Sequence, residues 1–98
     1  ETGRYGGIGL KNKEIIKVDS LNINHVLSEV LSTEKSIDIL KVDIEGLEEE
    51  TINSIHRKYL RKIKRIYFES TPETNFFPDN FNQSQYGSVC QLINKILI

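Results

Sequence analysis

The 98-residue chain has little of what several classes of protein require. It contains one cysteine, Cys90, which excludes an intrachain disulfide framework and a cysteine zinc cluster. Its 13 basic and 14 acidic residues give a net charge of -1, so it lacks the basic excess that supports nonspecific nucleic-acid binding. No segment is long and apolar enough to cross a bilayer, and the first residues do not resemble a signal peptide. We therefore expect a cytoplasmic protein with no nucleic-acid partner and no membrane segment.

The hydrophobic residues that are present predict alternating strands and helices. Apolar positions after Asn22 recur at helical spacing, a second helix is expected from Glu48 to Lys62, and the spacing of Tyr86, Val89 and Ile93 predicts a last helix. Alternation of this kind predicts an α/β fold with a parallel sheet in β-α-β-α-β-α order and right-handed crossovers. The predicted parts are a Gly-rich loop (1–13), a βαβαβ core (14–70), a polar loop (71–84) and a helix (85–98).

Acidic residues follow two of the predicted strands. Asp43 and Glu45 alternate with apolar residues at the end of a strand that begins at Ile37, and Glu69 ends the next strand. In parallel α/β sheets, ligands bind at the carboxyl ends of the strands, so these carboxylates are candidate site residues. They could hold Mg²⁺, act as a general base or accept hydrogen bonds from a substrate. Alternatively, Glu45 only favours the first turn of the next helix through its dipole.

Three phenylalanines, Phe76, Phe77 and Phe81, lie in the polar loop that follows Glu69. Aromatic residues in a long loop after an acidic strand end could close over a substrate. They could equally pack against the sheet as the core of the loop itself. The sequence leaves both interpretations open.

The segment Ile37–Glu48 resembles the signature I-D-x-L-K-x-D-x-E-G-x-E of the FkbM-type methyltransferases, which are S-adenosylmethionine-dependent enzymes of the Rossmann-like class. In that family the segment forms the fourth strand and the turn after it. Residues Val18–Asn22 resemble the strand leading to a Thr-Leu-Asp step, with Ser20 and Asn22 in place of Thr and Asp. Ile66–Glu69 resembles the fifth strand, which also ends in Glu. The resemblance covers roughly residues 15–70.

The resemblance implies a role for each acidic residue. Asp43 would lie near the transferred methyl group and the substrate nucleophile, and Glu45 and Glu69 would line the same cleft. Gly46 would open the turn into the following helix. The implied cofactor is S-adenosyl-L-methionine, and the implied reaction is methyl transfer to an oxygen or nitrogen of a small-molecule or glycan-like substrate. No metal is required.

The family's cofactor loop, of the form V-D-x-G-A-N-x-G, does not occur in the chain. The acidic residue of the family's second strand, which would hold the ribose hydroxyls, is also missing. We therefore expect residues 1–98 to be the C-terminal portion of a single methyltransferase domain. We expect this portion to be inactive when isolated.

Two alternatives remain open. The carboxylates could bind Mg²⁺ in another α/β enzyme, such as a (β/α) barrel, in which strand ends also face the active site. The chain could instead be a non-catalytic half-domain that associates with a partner through an exposed sheet edge.

Overall fold

A computed structural model of the protein describes residues 15–19 and 22–96. The predicted loop 1–13 lies outside these residues. These residues form an α/β structure with a five-stranded sheet. In chain order the elements are β1 (Ile15–Val18), α1 (Ile23–Leu31), β2 (Ile37–Val42), α2 (Glu48–Asn53), α3 (Arg57–Leu60), β3 (Ile63–Glu69), β4 (Phe81–Tyr86) and β5 (Val89–Asn94).

The sheet has the order β1-β2-β3-β5-β4 and is mixed. The first three strands are parallel, as the βαβαβ pattern of residues 14–70 predicts, and each crossover between them contains helix. The last two strands are antiparallel to each other, and β5 also pairs antiparallel with β3. The prediction of a purely parallel sheet is therefore wrong. Within the described residues, no helix is long and apolar enough to cross a membrane.

The predicted loop 71–84 is confirmed only as far as residue 80, and the predicted helix 85–98 is wrong, because residues 81–94 form a β-hairpin. The hairpin turn is Gly87-Ser88, and Gly87 has a φ of 61° while Ser88 does not have a positive φ. A positive φ at only the first of two turn residues is typical of a type II′ turn, in which glycine is preferred. After the turn, burial alternates with the period of a strand, with Cys90, Leu92 and Asn94 buried.

The helix predicted from Glu48 to Lys62 is divided into α2 and α3. Asn24 of α1 stabilises the break between the two helices. Its Nδ2 donates to the Ser54 carbonyl oxygen (2.8 Å), and its Oδ1 accepts from the His56 backbone N–H (2.9 Å). A side chain from another helix thus satisfies backbone groups that a continuous helix would pair internally. The break was not predictable from periodicity, since it depends on a residue about 30 positions away.

The amino ends of the parallel strands are closed by packing and by a buried amide. Ile37 and Ile63 are almost completely buried there. Asn94, which is also buried, donates from Nδ2 to the carbonyl oxygens of Leu60 (3.1 Å) and Ile63 (2.9 Å). The end of β5 is therefore joined to the start of β3, and the hairpin is fixed against the parallel strands.

Candidate functional site

The carboxyl ends of β2 and β3 bring Asp43 and Glu69 side by side. Val42 pairs with Phe68 in the parallel register, so the next residue of each strand is an acid. Asp43 lies one residue beyond β2 rather than inside it, and its backbone N–H donates to the Val18 carbonyl oxygen of β1 (2.8 Å). Its Oδ2 lies 3.5 Å from Nζ of Lys17, and its side chain is 43% exposed. Asp43 is thus fixed by its backbone and accessible through its carboxylate.

A cavity of about 230 Å³ opens beside these two acids, and we call it the strand-end cavity. Apolar and aromatic residues line it together with two acids and one lysine, and a mainly apolar lining with a few polar groups is typical of small-ligand sites. Its lining residues are Lys41, Val42, Asp43, Tyr67, Phe68, Glu69 and Val89.

Gly46 turns the chain from β2 toward α2. Its φ is 81°, and the turn is closed by a hydrogen bond from the Leu47 N–H to the Ile44 carbonyl oxygen (2.8 Å). A Cβ at Gly46 would meet no atom within 4 Å, so glycine is favoured there by the backbone conformation and not by lack of space. The tight turn places Glu45 and the start of α2 next to the end of β3.

A second and larger depression of about 650 Å³ lies on the other side of Glu69, and we call it the acidic groove. It is lined by Glu45, Gly46, Glu48, Glu49, Glu50, Glu69, Ser70 and Thr71. The three predicted acids are therefore placed around two neighbouring cavities. Asp43 and Glu69 line the strand-end cavity, whereas Glu45 and Glu69 line the acidic groove.

Hydroxyl and amide groups hold the rim of the acidic groove in place. The Ser70 hydroxyl donates to Glu49 Oε2, and the Ser88 hydroxyl donates to Glu69 Oε2 (3.2 Å). Gln85 Nε2 donates to the Ser70 carbonyl oxygen (2.9 Å). Sequence reasoning missed these residues because all three contacts depend on the hairpin or the segment that it anchors. The Gly87-Ser88 dipeptide, which is typical of two-residue hairpin turns, was the available signal.

The phenylalanines of the segment after Glu69 pack against the sheet. Phe76 is buried and meets Phe68 edge to face, with ring centroids 5.4 Å apart. Phe81 is also buried, and Phe77 packs partly buried against the same core. Gln83 anchors the segment, since its Oε1 accepts from the Phe76 N–H (2.9 Å). Of the two interpretations that the sequence left open, the structure shows the packed one.

Cys90 lies in the hydrophobic core and has no exposed surface. Burial raises the pKa of its thiol, and the negative charge of Glu49 raises the pKa further, while a hydrogen bond with the Gln91 backbone lowers it. A thiol with a raised pKa is protonated at neutral pH and is a poor nucleophile. Cys90 therefore serves as a small apolar core residue.

Potential metal ligands do not converge in the part of the chain that the structure describes. No group of three or more His, Cys, Asp or Glu side chains there is close enough to hold one metal ion. His25 is exposed, and its Nε2 lies 3.4 Å from Oε2 of Glu29. His56 is also exposed.

The protein is thus an α/β protein with a candidate ligand site, lined by two acids, at the carboxyl ends of its parallel strands. The model of the methyltransferase FkbM domain matches residues 3–96, so the chain belongs to the FkbM methyltransferase family. The resemblance noted in the sequence is thereby confirmed, and it extends through the hairpin. No curated protein and no solved structure matches the chain.

Proposed function

We propose that the protein transfers the methyl group of S-adenosyl-L-methionine to an oxygen or nitrogen of a small-molecule or glycan-like acceptor. The reaction would take place at the carboxyl ends of β2 and β3. The observation that supports this proposal best is the pairing of Asp43 with Glu69 at the strand-end cavity, in a chain of the FkbM methyltransferase family. The chain would supply the C-terminal portion of the domain, with a partial Rossmann-like fold.

The residues at the strand-end cavity fit the reactive end of this cofactor. The cofactor, when bound, supplies an electrophilic methyl group on a positively charged sulfur. The cavity is lined by two acids, Asp43 and Glu69, and one base, Lys41, so its lining is net negative, and negative charge favours a cation at close range. The remainder of the cofactor needs a glycine loop between a strand and a helix, and the sequence contains no such loop. We therefore propose that the isolated chain neither binds the cofactor tightly nor turns over.

Asp43 is suited to orient the acceptor and to receive its proton. Its backbone is tied to β1, and the ammonium group of Lys17 lies 3.5 Å from its carboxylate. A positioned carboxylate that accepts a proton in the transition state contributes roughly 10²–10⁴-fold to a rate. Alignment of donor and acceptor in a shaped cavity supplies the rest of the catalysis. Glu69, on the neighbouring strand β3, would assist Asp43 in orienting the acceptor. Glu45 would assist from the acidic groove.

The alternative of a (β/α) barrel requires strands that are all parallel, and the antiparallel strand β5 is inconsistent with it. The alternative of a non-catalytic interaction module makes a separate prediction. In that case the full-length protein would fold and associate but would not bind the cofactor or its product.

Calorimetric titration of S-adenosylhomocysteine into the full-length protein tests the proposal. Micromolar binding is the expected result, and an Asp43→Ala variant should still bind but should lose methyl transfer to a competent acceptor. Asp79→Ala, which removes an exposed acid that lines neither cavity, is the matched control and should keep both properties. A well-folded full-length protein that does not bind S-adenosylhomocysteine would refute the proposed function.

A further inference from the structure

The two edge strands of the described sheet differ in how well they are protected against pairing with another chain. β1, at one edge, has four residues and carries an exposed lysine, Lys17. β4, at the other edge, has six residues, Phe81–Tyr86, with no charged residue and no proline among them. Short length, lysine and proline are features by which natural proteins keep edge strands from pairing. β4 has none of these three features.

The register of the hairpin determines which backbone groups of β4 face outward. In an antiparallel pair, alternate residues direct their N–H and C=O groups toward the partner strand, and the residues between them direct these groups away. Tyr86 lies opposite Val89 at the two-residue turn, so Tyr86 and Ser84 bond to β5. The N–H and C=O groups of Gln83 and Gln85 must then point out of the sheet edge.

Two hydrogen bonds at the start of β4 confirm this alternation. The Lys95 N–H donates to the Asn80 carbonyl oxygen (2.9 Å), so the even-numbered residues face β5. The Phe81 N–H donates to the Phe77 carbonyl oxygen (3.0 Å), which lies outside the β4–β5 pair. The segment before β4 therefore covers the edge at Phe81. Among the strands that the structure describes, none pairs with the rest of that edge.

Two glutamine side chains hold the open part of the edge in place. Gln83 accepts a hydrogen bond from the Phe76 N–H (2.9 Å) and donates one to the Thr74 carbonyl oxygen (3.2 Å). Gln85 donates from Nε2 to the Ser70 carbonyl oxygen (2.9 Å). Both side chains are thus tied to the preceding segment. A partner strand would meet an edge that is already ordered, which lowers the entropic cost of binding.

We propose that β4 pairs with β4 of a second copy of this chain, as antiparallel strands related by a two-fold axis. In the register centred on Ser84, Gln83 of each copy lies opposite Gln85 of the other, and each such pair exchanges two backbone hydrogen bonds. Ser84 lies opposite its own counterpart, and the exposed Tyr86 lies opposite the exposed Asn82. This register pairs the outward groups of both glutamines and brings no like charges together.

A second copy fits this edge better than an extended peptide of another protein. Recognition of a foreign strand at a sheet edge obtains its specificity from pockets that accept alternate side chains. Neither the strand-end cavity nor the acidic groove is lined by a residue of β4. The edge instead offers backbone groups and neutral side chains, and an identical antiparallel edge supplies matching ones. Dimerisation through β4 therefore does not depend on the proposed methyl transfer and does not obstruct either cavity.

Sedimentation equilibrium of the full-length protein tests the proposal. A pair of six-residue strands buries less than the roughly 1,200 Å² of a stable interface, so we expect a weak dimer that dissociates on dilution from about 1 mM to about 10 µM. Ser84→Lys places two lysines opposite each other and should weaken association about ten-fold or more. Asn53→Lys, at the exposed end of α2, is the matched control and should leave association unchanged. A protein that stays monomeric throughout, or equal association of the two variants, would overturn the proposal.

Ser84→Val makes the opposite prediction at the same position. Cross-strand pairs of β-branched residues stabilise a sheet, so a valine pair at the two-fold axis should tighten association about two- to five-fold. Circular dichroism of both Ser84 variants should show the unsubstituted fold. Weaker association of Ser84→Val would contradict strand pairing centred on this residue.

Hydrogen exchange measured by NMR identifies the strand that pairs. The amides of Gln83 and Gln85 should exchange rapidly in dilute protein and be protected at high concentration. The amide of Ser84, which bonds to β5, should be protected at both concentrations. A dimer that leaves the two glutamine amides unprotected would show that the copies meet elsewhere and would overturn the proposal. Equal protection at both concentrations would show that a segment of the same chain covers the edge, which would also overturn it.

Discussion

The two ends of the parallel strands differ in almost every physical property. At the amino ends of β2 and β3, Ile37 and Ile63 are 1% and 0% exposed, and the buried amide of Asn94 satisfies the backbone of β3. At the carboxyl ends, one residue beyond Val42 and Phe68, the chain places two acids, and Asp43 is 43% exposed. The same two strands therefore begin in the core and end in a charged, accessible site.

Residues that stabilise the fold and residues that form the candidate site therefore lie at opposite ends of the same strands. Burial of large apolar side chains and satisfaction of buried polar groups stabilise the fold, and the amino ends have both. The carboxyl ends carry exposed charges, which contribute little to stability. Substitutions at the amino ends should therefore reduce the free energy of unfolding, and substitutions at the carboxyl ends should alter binding and catalysis.

The largest effect on stability is expected from Ile63→Ala. The side chain has no exposed surface, and its truncation would leave a cavity at the start of β3. Such truncations lower the free energy of unfolding by about 2–5 kcal/mol. Urea denaturation of the full-length protein measures the loss. Ile96→Ala is the control, since Ile96 is 82% exposed and its loss should change stability by no more than about 0.5 kcal/mol. Equal effects of the two substitutions would contradict the account of the amino ends.

Asn94→Ala should have the next largest effect. It removes the donor to the carbonyl oxygens of Leu60 and Ile63 and leaves both buried acceptors without that partner. We expect a loss of roughly 1–3 kcal/mol, the range measured when a buried hydrogen-bonding group is left unsatisfied. Asn82→Ala on the exposed face of β4 is the matched comparison and should be nearly neutral. A neutral Asn94→Ala would mean that the hairpin is fixed by other contacts.

A smaller loss of unfolding free energy is expected from substitution of Gly46, in the turn after β2. Gly46→Ala places a Cβ on a residue with φ of 81°, which costs about 1–2 kcal/mol although the space around it is open. Gly87→Ala meets the same penalty at φ of 61° but lines neither cavity. We expect similar losses of unfolding free energy and a loss of S-adenosylmethionine affinity for Gly46→Ala alone. Identical cofactor affinities would show that the turn after β2 does not shape the site.

The sequence predicted the parallel half of the fold because its signals are local and agree with one another. The strand at Ile37 and the helix after Asn22 both have clear periods and capping or turn residues. The hairpin was missed because Tyr86, Val89 and Ile93 also recur at helical spacing. In addition, the polar residue Asn94 occupies a buried strand position. The polar character of Asn94 conceals the alternation that would have indicated a strand.

The candidate site, like the fold, was predictable only in part. Asp43 and Glu69 follow apolar strands, so their placement at one sheet edge could be derived from topology alone. The burial of Glu48 could not, because an acid in the first turn of a helix is normally exposed to solvent. The contacts of Ser88 and Gln85 require the hairpin, and no local pattern connects these residues to Glu69 or Ser70.

The affinity of the Asp43→Asn variant for S-adenosylmethionine and for S-adenosylhomocysteine tests the central claim most directly. The two compounds differ mainly in the positive charge of the sulfonium, so a carboxylate near the methyl group should favour the first. We expect Asp43→Asn to weaken S-adenosylmethionine binding by about ten-fold, or about 1.4 kcal/mol, and to leave S-adenosylhomocysteine binding and unfolding free energy nearly unchanged. Equal losses for both compounds, together with a large loss of stability, would place Asp43 in the fold and contradict the account.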